Sequence, residues 1–305
     1  MESSHGRAPG VKLPDGQWQL NDVALYQNIM PGDLDKLVSC RNLKSLDARV
    51  SNIGDSDCVT IGRMTNLEVL TLVGTHQITN TGIKDLGSLQ KLRRLSLVHF
   101  PLSDEALDII ASMTELRKLD LVETPVTDVG FKKLATLVHL EEQLNLPSGV
   151  TDQGLGILGS FPQLKKLGLY AHQVTDSSIA EMQKLPRLTE LYLIGATDET
   201  LSRMKGLTQL RGLELNLGLL TEQGYQTLQE FKWLQTITIL SDPKFNDAKL
   251  KCLSKIPDLK ILCFFDKDCS VSPKGIEDFR VARPDVRVDG VQVYPATVPA
   301  KAGDK

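Results

Sequence analysis

Apolar residues along this chain recur with two alternating periods. A stretch of period two, typified by Leu119 and Leu121, gives way to a stretch of period three, typified by Phe131, Leu134 and Leu137, and the cycle then restarts. Residues 116–139 show one complete cycle. Leu116, Leu119 and Leu121 predict a strand, Val126, Thr127 and Asp128 a turn, and the period-three residues a short helical return. The first leucine comes back at Leu43, Leu67, Leu92, Leu116, Leu140, Leu164, Leu188, Leu210, Leu234 and Leu259, at spacings of 22 to 25 residues. A cycle that short can hide its apolar face only against a neighbour, so the pattern predicts a stacked α/β solenoid. Its parallel strands form a curved sheet on the concave face, and its short α or 3-10 helices cover the convex face.

Within each cycle the strand core recurs as Leu46/Ala48, Leu70/Leu72, Leu95/Leu97, Leu119/Leu121, Leu167/Leu169, Leu191/Leu193, Leu213/Leu215, Ile237/Ile239 and Leu262/Phe264. Period two turns these pairs inward and their neighbours outward. Thr79-Asn80, Ser103-Asp104, Thr127-Asp128, Thr151-Asp152, Thr175-Asp176, Thr197-Asp198, Thr221-Glu222 and Asn246-Asp247 then mark helix starts. Hydroxyl and carboxamide oxygens accept from first-turn amides and an acid suits the positive end of the helix dipole, so the acids are expected to be caps. Two cycles are irregular. Leu140 stands one residue too far from Leu144, and Thr197-Asp198 follows Leu193 too soon, so both should distort the stack locally.

These motifs resemble the leucine-rich repeat superfamily, in particular its short bacterial subclass with the pattern LxxLxLxxTxVTDxGLxxLxxL, and more distantly the cysteine-containing repeats of F-box receptors. The resemblance covers roughly residues 29 to 288. It implies a binding platform rather than an enzyme. It also implies an alternative in which the chain is a substrate receptor or effector acting with a ubiquitin ligase or a host partner. Residues 29–40 (IMPGDLDKLVSC) superficially resemble an F-box start but fit the repeat register better.

The expected organisation is a disordered segment at 1–17, a cap or half repeat at 18–42, ten repeats and a terminal strand at 43–288, and a mobile tail at 289–305. The cap rests on Trp18, Ile29, Asp33, Leu34, Leu37 and Cys40. Near the far end Ser272-Pro273 predicts a helix start and Val286-x-Val288 a last strand. With 305 residues and 41% apolar content, one elongated domain is expected. A formal charge of −3 argues against nucleic acid as the default partner. The first ten residues contain no apolar run, so the chain reads as cytoplasmic and without a membrane segment. An upstream export signal or anchor, common in the proteins it resembles, would reverse that reading. Five cysteines in no CxxC pair predict free thiols, with a Cys263–Cys269 bridge as the alternative that would favour export.

No catalytic, cofactor or metal constellation emerges. His76, His99 and His172 share the strand-to-turn edge but lie two or more repeats apart, and His5 and His139 lie elsewhere. No phosphate loop or nucleophile elbow is present. Gly82, Gly130, Gly154, Gly224 and Gly275 share one repeat position and predict a tight backbone approach.

The outward strand face remains, in three columns. The column before the core pair contains Arg94, Lys118 and Lys166, the one between contains Asp47, Asp120, Tyr192 and Glu214, and the one after contains Val73, Val98, Val122, Tyr170, Ile194, Leu240 and Phe265. An apolar stripe edged by charge marks an interface, although β-branched residues also favour strands with nothing bound. The candidate site is therefore Val98, Val122, Tyr170, Tyr192 and Ile194 with Arg94, Lys118 and Asp120. The expected partner is a protein or peptide, held by a non-enzymatic monomer.

Overall fold

The computed structural model describes residues 20–25, 32–49, 52–74, 77–265 and 270–290. The expected segment 1–17, Trp18 and Ile29 of the cap, His5, His76, Cys269 and the tail from 291 lie outside them. The chain divides into two compact units. One takes in the chain up to Leu164 with Leu185–Arg187, and the other Lys165–Lys184 and the chain from Leu188.

In the first compact unit, β1 (Asp22–Leu25), β2 (Ser45–Arg49), β3 (Val69–Val73), β4 (Arg94–Val98), β5 (Lys118–Asp120) and β6 (Gln143–Asn145) pair in chain order, all parallel. Between them run α1 (Asp33–Val38), α2 (Asp55–Gly62), α3 (Asn80–Leu86), α4 (Ala106–Ala111) and α5 (Asp128–Lys133), with α6 (Asp152–Leu155) following β6. In the second, β7 (Lys166–Tyr170), β8 (Glu190–Ile194), β9 (Gly212–Asn216), β10 (Thr236–Ile239), β11 (Ile261–Phe264) and β12 (Arg287–Asp289) do the same. Here α7 (Asp176–Gln183), α8 (Asp198–Arg203), α9 (Glu222–Thr227), α10 (Asp247–Leu253) and α11 (Pro273–Ala282) intervene. The cap contributes a strand, β1, that the sequence pattern did not mark.

Register explains the core. Leu46, Leu70, Leu95, Leu119 and Leu144 align strand to strand, as do Leu167, Leu191, Leu213, Ile237 and Leu262. Each is at most 1% exposed, so the inward pairs form an apolar ladder. The extra residue before Leu144 is absorbed at the start of β6: the Glu141 and Glu142 amides donate to the Arg117 carbonyl as their counterparts do in the regular repeats, yet Lys118 pairs with Gln143, so that Leu144 still aligns with Leu119. Five of the strands then turn through a left-handed corner. Gly74, His99 and Glu123 occupy it in the first compact unit with φ of 83°, 66° and 58°, and Gly195 and Leu217 in the second with φ of 73° and 50°.

Helix starts follow the hydroxyls, but the acids beside them are not caps. Thr79, Thr127 and Thr151 accept from the amides of Thr81, Val129 and Gln153. Five first-turn acids instead reach the next repeat. Asp55 accepts the Thr79 amide at 2.7 Å, the Thr79 hydroxyl at 2.7 Å and the Gly82 amide at 3.0 Å. Asp104 takes the Thr127 amide at 2.8 Å and hydroxyl at 2.6 Å, and Asp128 treats Thr151 alike. In the second compact unit Asp198 clamps Thr221 and Asp247 clamps Ser272. The physical reason is position. A first-turn carboxylate has passed the amides it would cap, whereas the facing turn of the next repeat presents unpaired ones.

The recurrent glycines belong to the same device. A Cβ on Gly82, Gly130, Gly154, Gly224 or Gly275 would run into the carboxylate of Asp55, Asp104, Asp128, Asp198 or Asp247 respectively. At Thr200, where that position is larger, the clamp is lost. Thr200 accepts the Thr197 amide at 3.1 Å and so completes its own cap, while Asp176 in the preceding repeat turns out to Arg203 at 3.3 Å. Burial works to raise the pKa of Asp55 and Asp104, but donors outweigh it: Thr79 and Gly82 at the first, Thr127, Gly130 and the Lys133 charge at the second. Both acids are held below the usual carboxylate value.

Candidate functional site

In the first compact unit the strand face forms an open cleft of about 290 Å³. Alternate residues of neighbouring strands share a face about 4.8 Å apart, so Val69, Thr71 and Val73 of β3 line it beside Ser96 and Val98 of β4. Arg49 closes one side, and Arg94, Lys118 and Asp120 the other. Four of the sequence candidates, Arg94, Val98, Lys118 and Asp120, therefore come together. Val122 lies just past the end of β5, half-buried, and does not line the cleft.

The two arginines along the cleft each have a counter-charge. Both carboxylate oxygens of Asp47 accept from Arg49 Nε at 3.0 Å. Arg94 reaches past β5 to Glu142 with two bonds of 2.6 and 3.1 Å, and that carboxylate holds its pKa up. Such pairs on a solvated face each contribute only about 0–1 kcal/mol, so an incoming group can replace a partner at small cost. Asp120 does not simply face outward as its column suggests. Burial raises its carboxyl pKa, against the bonds it accepts from the Val122 amide at 3.2 Å and Asn145 Nδ2 at 2.9 Å and against the Lys118 charge.

In the second compact unit Tyr170 and Tyr192 are half-buried on the strand face. Tyr192 is committed locally, its hydroxyl accepting from Asn216 Nδ2 at 2.7 Å, and the Tyr170 ring lies 5.7 Å from that of His172. Ile194 was expected to be exposed and is not, being only 8% accessible. It stands in register between Tyr170 and Asn216, whose longer side chains flank it on both sides. Lys166 pairs with Glu214 across two strands at 2.5 Å. Leu217 and Leu219 are large exposed apolar side chains that fall outside the three strand columns, which is why the alternation did not select them.

A buried ionic group also occurs here, unmarked in the sequence. Lys249 occupies the repeat position held elsewhere by the clamp glycines, and its Nζ meets Asp242 at 3.0 and 3.3 Å. Tyr225 donates its hydroxyl to the same carboxylate at 2.8 Å, and the ammonium lies 5.2 Å from the Tyr225 ring. Burial and the Asp242 charge push the Tyr225 phenol well above its ordinary range.

Among the described residues no group of three or more His, Cys, Asp or Glu is placed to hold a metal ion, and no helix is long and apolar enough to cross a membrane. Neither a family model nor a curated protein matches the sequence. Solved structures do. An internalin (InlF) from Listeria monocytogenes is 17% identical, covering 90% of this chain and 88% of its own, with a TM-score of 0.47. A chain of the Rad7 and Elc1 complex of yeast is 20% identical, covering 87% of this chain and 74% of its own, with a TM-score of 0.58. The leucine ladder, the parallel register and the second likeness together define a leucine-rich repeat fold.

Proposed function

From that fold and the geometry of its strand face we propose that the chain is a non-enzymatic binding scaffold that holds a partner protein or peptide in the cleft over β2 to β5. The observation that carries this reading is the cleft itself. Val69, Val73 and Val98 form an apolar floor on a sheet whose backbone is pinned by ladder hydrogen bonds, and the charged walls consist of replaceable pairs. Side chains held on a rigid sheet lose little freedom on binding, so a modest contact area becomes usable affinity.

The experiment selects peptides from a random display library on the wild-type chain and titrates them calorimetrically against a Val73→Asp/Val98→Asp variant of unchanged melting temperature. Affinity should fall by about tenfold or more, the loss expected when anchors at the centre of an interface are removed. Equal affinities for both proteins would refute the proposal.

A further inference from the structure

The cleft over the strand face holds one carboxylate that has no ion-pair partner among the described residues. In the row between the inward pairs, Thr71 of β3, Ser96 of β4 and Asp120 of β5 stand side by side in register, about 4.8 Å apart. Arg49 turns to Asp47 and Arg94 to Glu142, which leaves Asp120 unpaired. Lys118, one row away on the same strand, acts on it only at a distance. Beside it, neither the Thr71 nor the Ser96 hydroxyl is hydrogen-bonded to another described residue.

Asp120 is also held in place. Its Oδ1 accepts the Val122 amide at 3.2 Å and its Oδ2 accepts Asn145 Nδ2 at 2.9 Å, while Asn145, only 3% exposed, is fixed in turn by Gln143 Nε2 at 2.9 Å. Each carboxylate oxygen thus receives one donor and has room for another. Burial disfavours the ionised form more than these bonds and the Lys118 charge favour it, so the pKa of Asp120 is raised. An incoming cation relieves that condition.

We infer that the cleft takes a lysine side chain of the partner, its ammonium seated between Asp120 and Ser96 and its stem lying over Val98 and Val73. The inference rests on the reading of the cleft as the binding face and names what fills it. Two distances agree with it. An ammonium about 2.8 Å from an oxygen on either side bridges two side chains that stand about 4.8 Å apart. Val98 lies two residues beyond Ser96 on β4, about 6.7 Å along the strand, which suits the four-carbon stem of lysine. Such a stem buries its methylenes on apolar surface while the charged head keeps polar partners. An acidic side chain would meet Asp120 as a like charge, and an apolar one would take away its water and return no donor, so both are disfavoured.

The test pans a random peptide display library on the wild-type chain and resynthesises the tightest binder with each lysine replaced in turn by norleucine or acetyllysine. Lysine should dominate one position of the selected peptides, and either replacement there should weaken binding by about tenfold or more. Asp120→Asn should weaken the lysine peptide to the same degree and spare the norleucine peptide, so that the two bind alike. Ser96→Ala should narrow the difference without abolishing it. Val73→Ser/Val98→Ser removes the apolar floor, adds no charge that could itself attract a lysine, and should weaken both peptides. Selected peptides that need the floor but contain no lysine, tolerate norleucine, or discriminate equally well on Asp120→Asn protein would overturn the lysine site and leave the cleft standing. If Asp120→Asn fails to fold, Ser96→Ala decides, and an undiminished difference on that protein overturns the site. An absence of binders, or binders indifferent to the floor variant, would overturn the cleft and the lysine site with it.

Discussion

Replacing Asp104 by alanine should cost about 2 kcal/mol, and the clamp dictates how that loss responds to other changes. The Asp104 carboxylate receives the amide and hydroxyl of Thr127 at 2.8 and 2.6 Å. A hydrogen bond to an ionised group contributes about 1.5–3 kcal/mol when fully shielded. This carboxylate is partly solvated, and water can reach the groups left behind, so the sum is discounted to about 2 kcal/mol. Asp104→Asn should lose about 1 kcal/mol or less, since Asn80 already performs the same task in the preceding repeat. Its Oδ1 accepts the Ser103 amide at 3.0 Å and its Nδ2 donates to the Ser103 hydroxyl at 2.6 Å. Gly130→Ala supplies the decisive comparison. Beside Asp104 the added methyl meets the carboxylate and destabilises. Without the carboxylate only the Asp104 backbone remains close, and the gain of about 1 kcal/mol in helix propensity offsets more of the strain. The two changes should therefore couple by about 1 kcal/mol or more in urea titrations of the single and double variants. The coupling also has a pH sign. The Asp104 pKa is depressed in the folded chain, so its stabilisation is complete above the unfolded carboxylate value of about 3.9 and is lost as the pH falls through the lower folded value. Asp104→Ala should thus cost least once the pH has fallen below the depressed folded-state value of this carboxyl. Additive losses, or a cost that does not shrink in acid, would refute the clamp.

Leu119→Asp should cost about 3–5 kcal/mol by placing a carboxylate in the apolar ladder, whereas Asp120→Ala should cost only about 1 kcal/mol through its lost bonds to Asn145 and Val122. Matching midpoints in a denaturant titration would show that the strand phase is wrong. Lys249→Met should cost about 3–5 kcal/mol by stranding the buried Asp242 carboxylate, and adding Asp242→Asn should restore part of it; a neutral single variant would mean that the pair is not buried in solution. The Cys58 thiol is pushed up to about 12 by burial, with Asp55, Asp57 and Asp85 adding to the effect, so iodoacetamide at pH 8 should label the half-buried Cys252 and Cys263 long before it. Labelling of Cys58 at a comparable rate would contradict its placement.

The strand phase was legible because an apolar residue, most often leucine, at every inward position leaves one register that buries it, and Leu119, Leu144 and Leu167 each sit where alternation puts them. The clamps were half legible. Thr127 and Gly130 stood out as recurrent, but the group that explains both is Asp104, more than 20 residues earlier, and a pattern read within one repeat assigns that acid to its own helix. A search for acids whose next repeat carries Thr and Gly would have found it. The surface was less legible still. Ile194 and Val98 share a column, yet Ile194 is buried because of what stands on the adjoining strands, a matter of neighbours rather than of alternation. Nothing in the repeat pattern marks Lys249, and only the fold brings Asp242 and Tyr225 to its ammonium.

Because each clamp is divided between two repeats, with the acid in one and the hydroxyl and glycine in the next, a tandem copy of a clamped repeat carries both halves of the joint. Inserted beside its parent, it closes a new clamp and strands no amide, so the chain can lengthen by duplication without inventing an interface. Thr197 and Thr200 form a different joint, complete within its own repeat and indifferent to what precedes it. A boundary of that kind tolerates a mismatched neighbour and a change of length. It falls within the shortest repeat of the chain, the 22 residues from Leu188 to Leu210. Grafting and trimming of repeats are best aimed at such self-capped joints, while duplication is best aimed at the clamped ones.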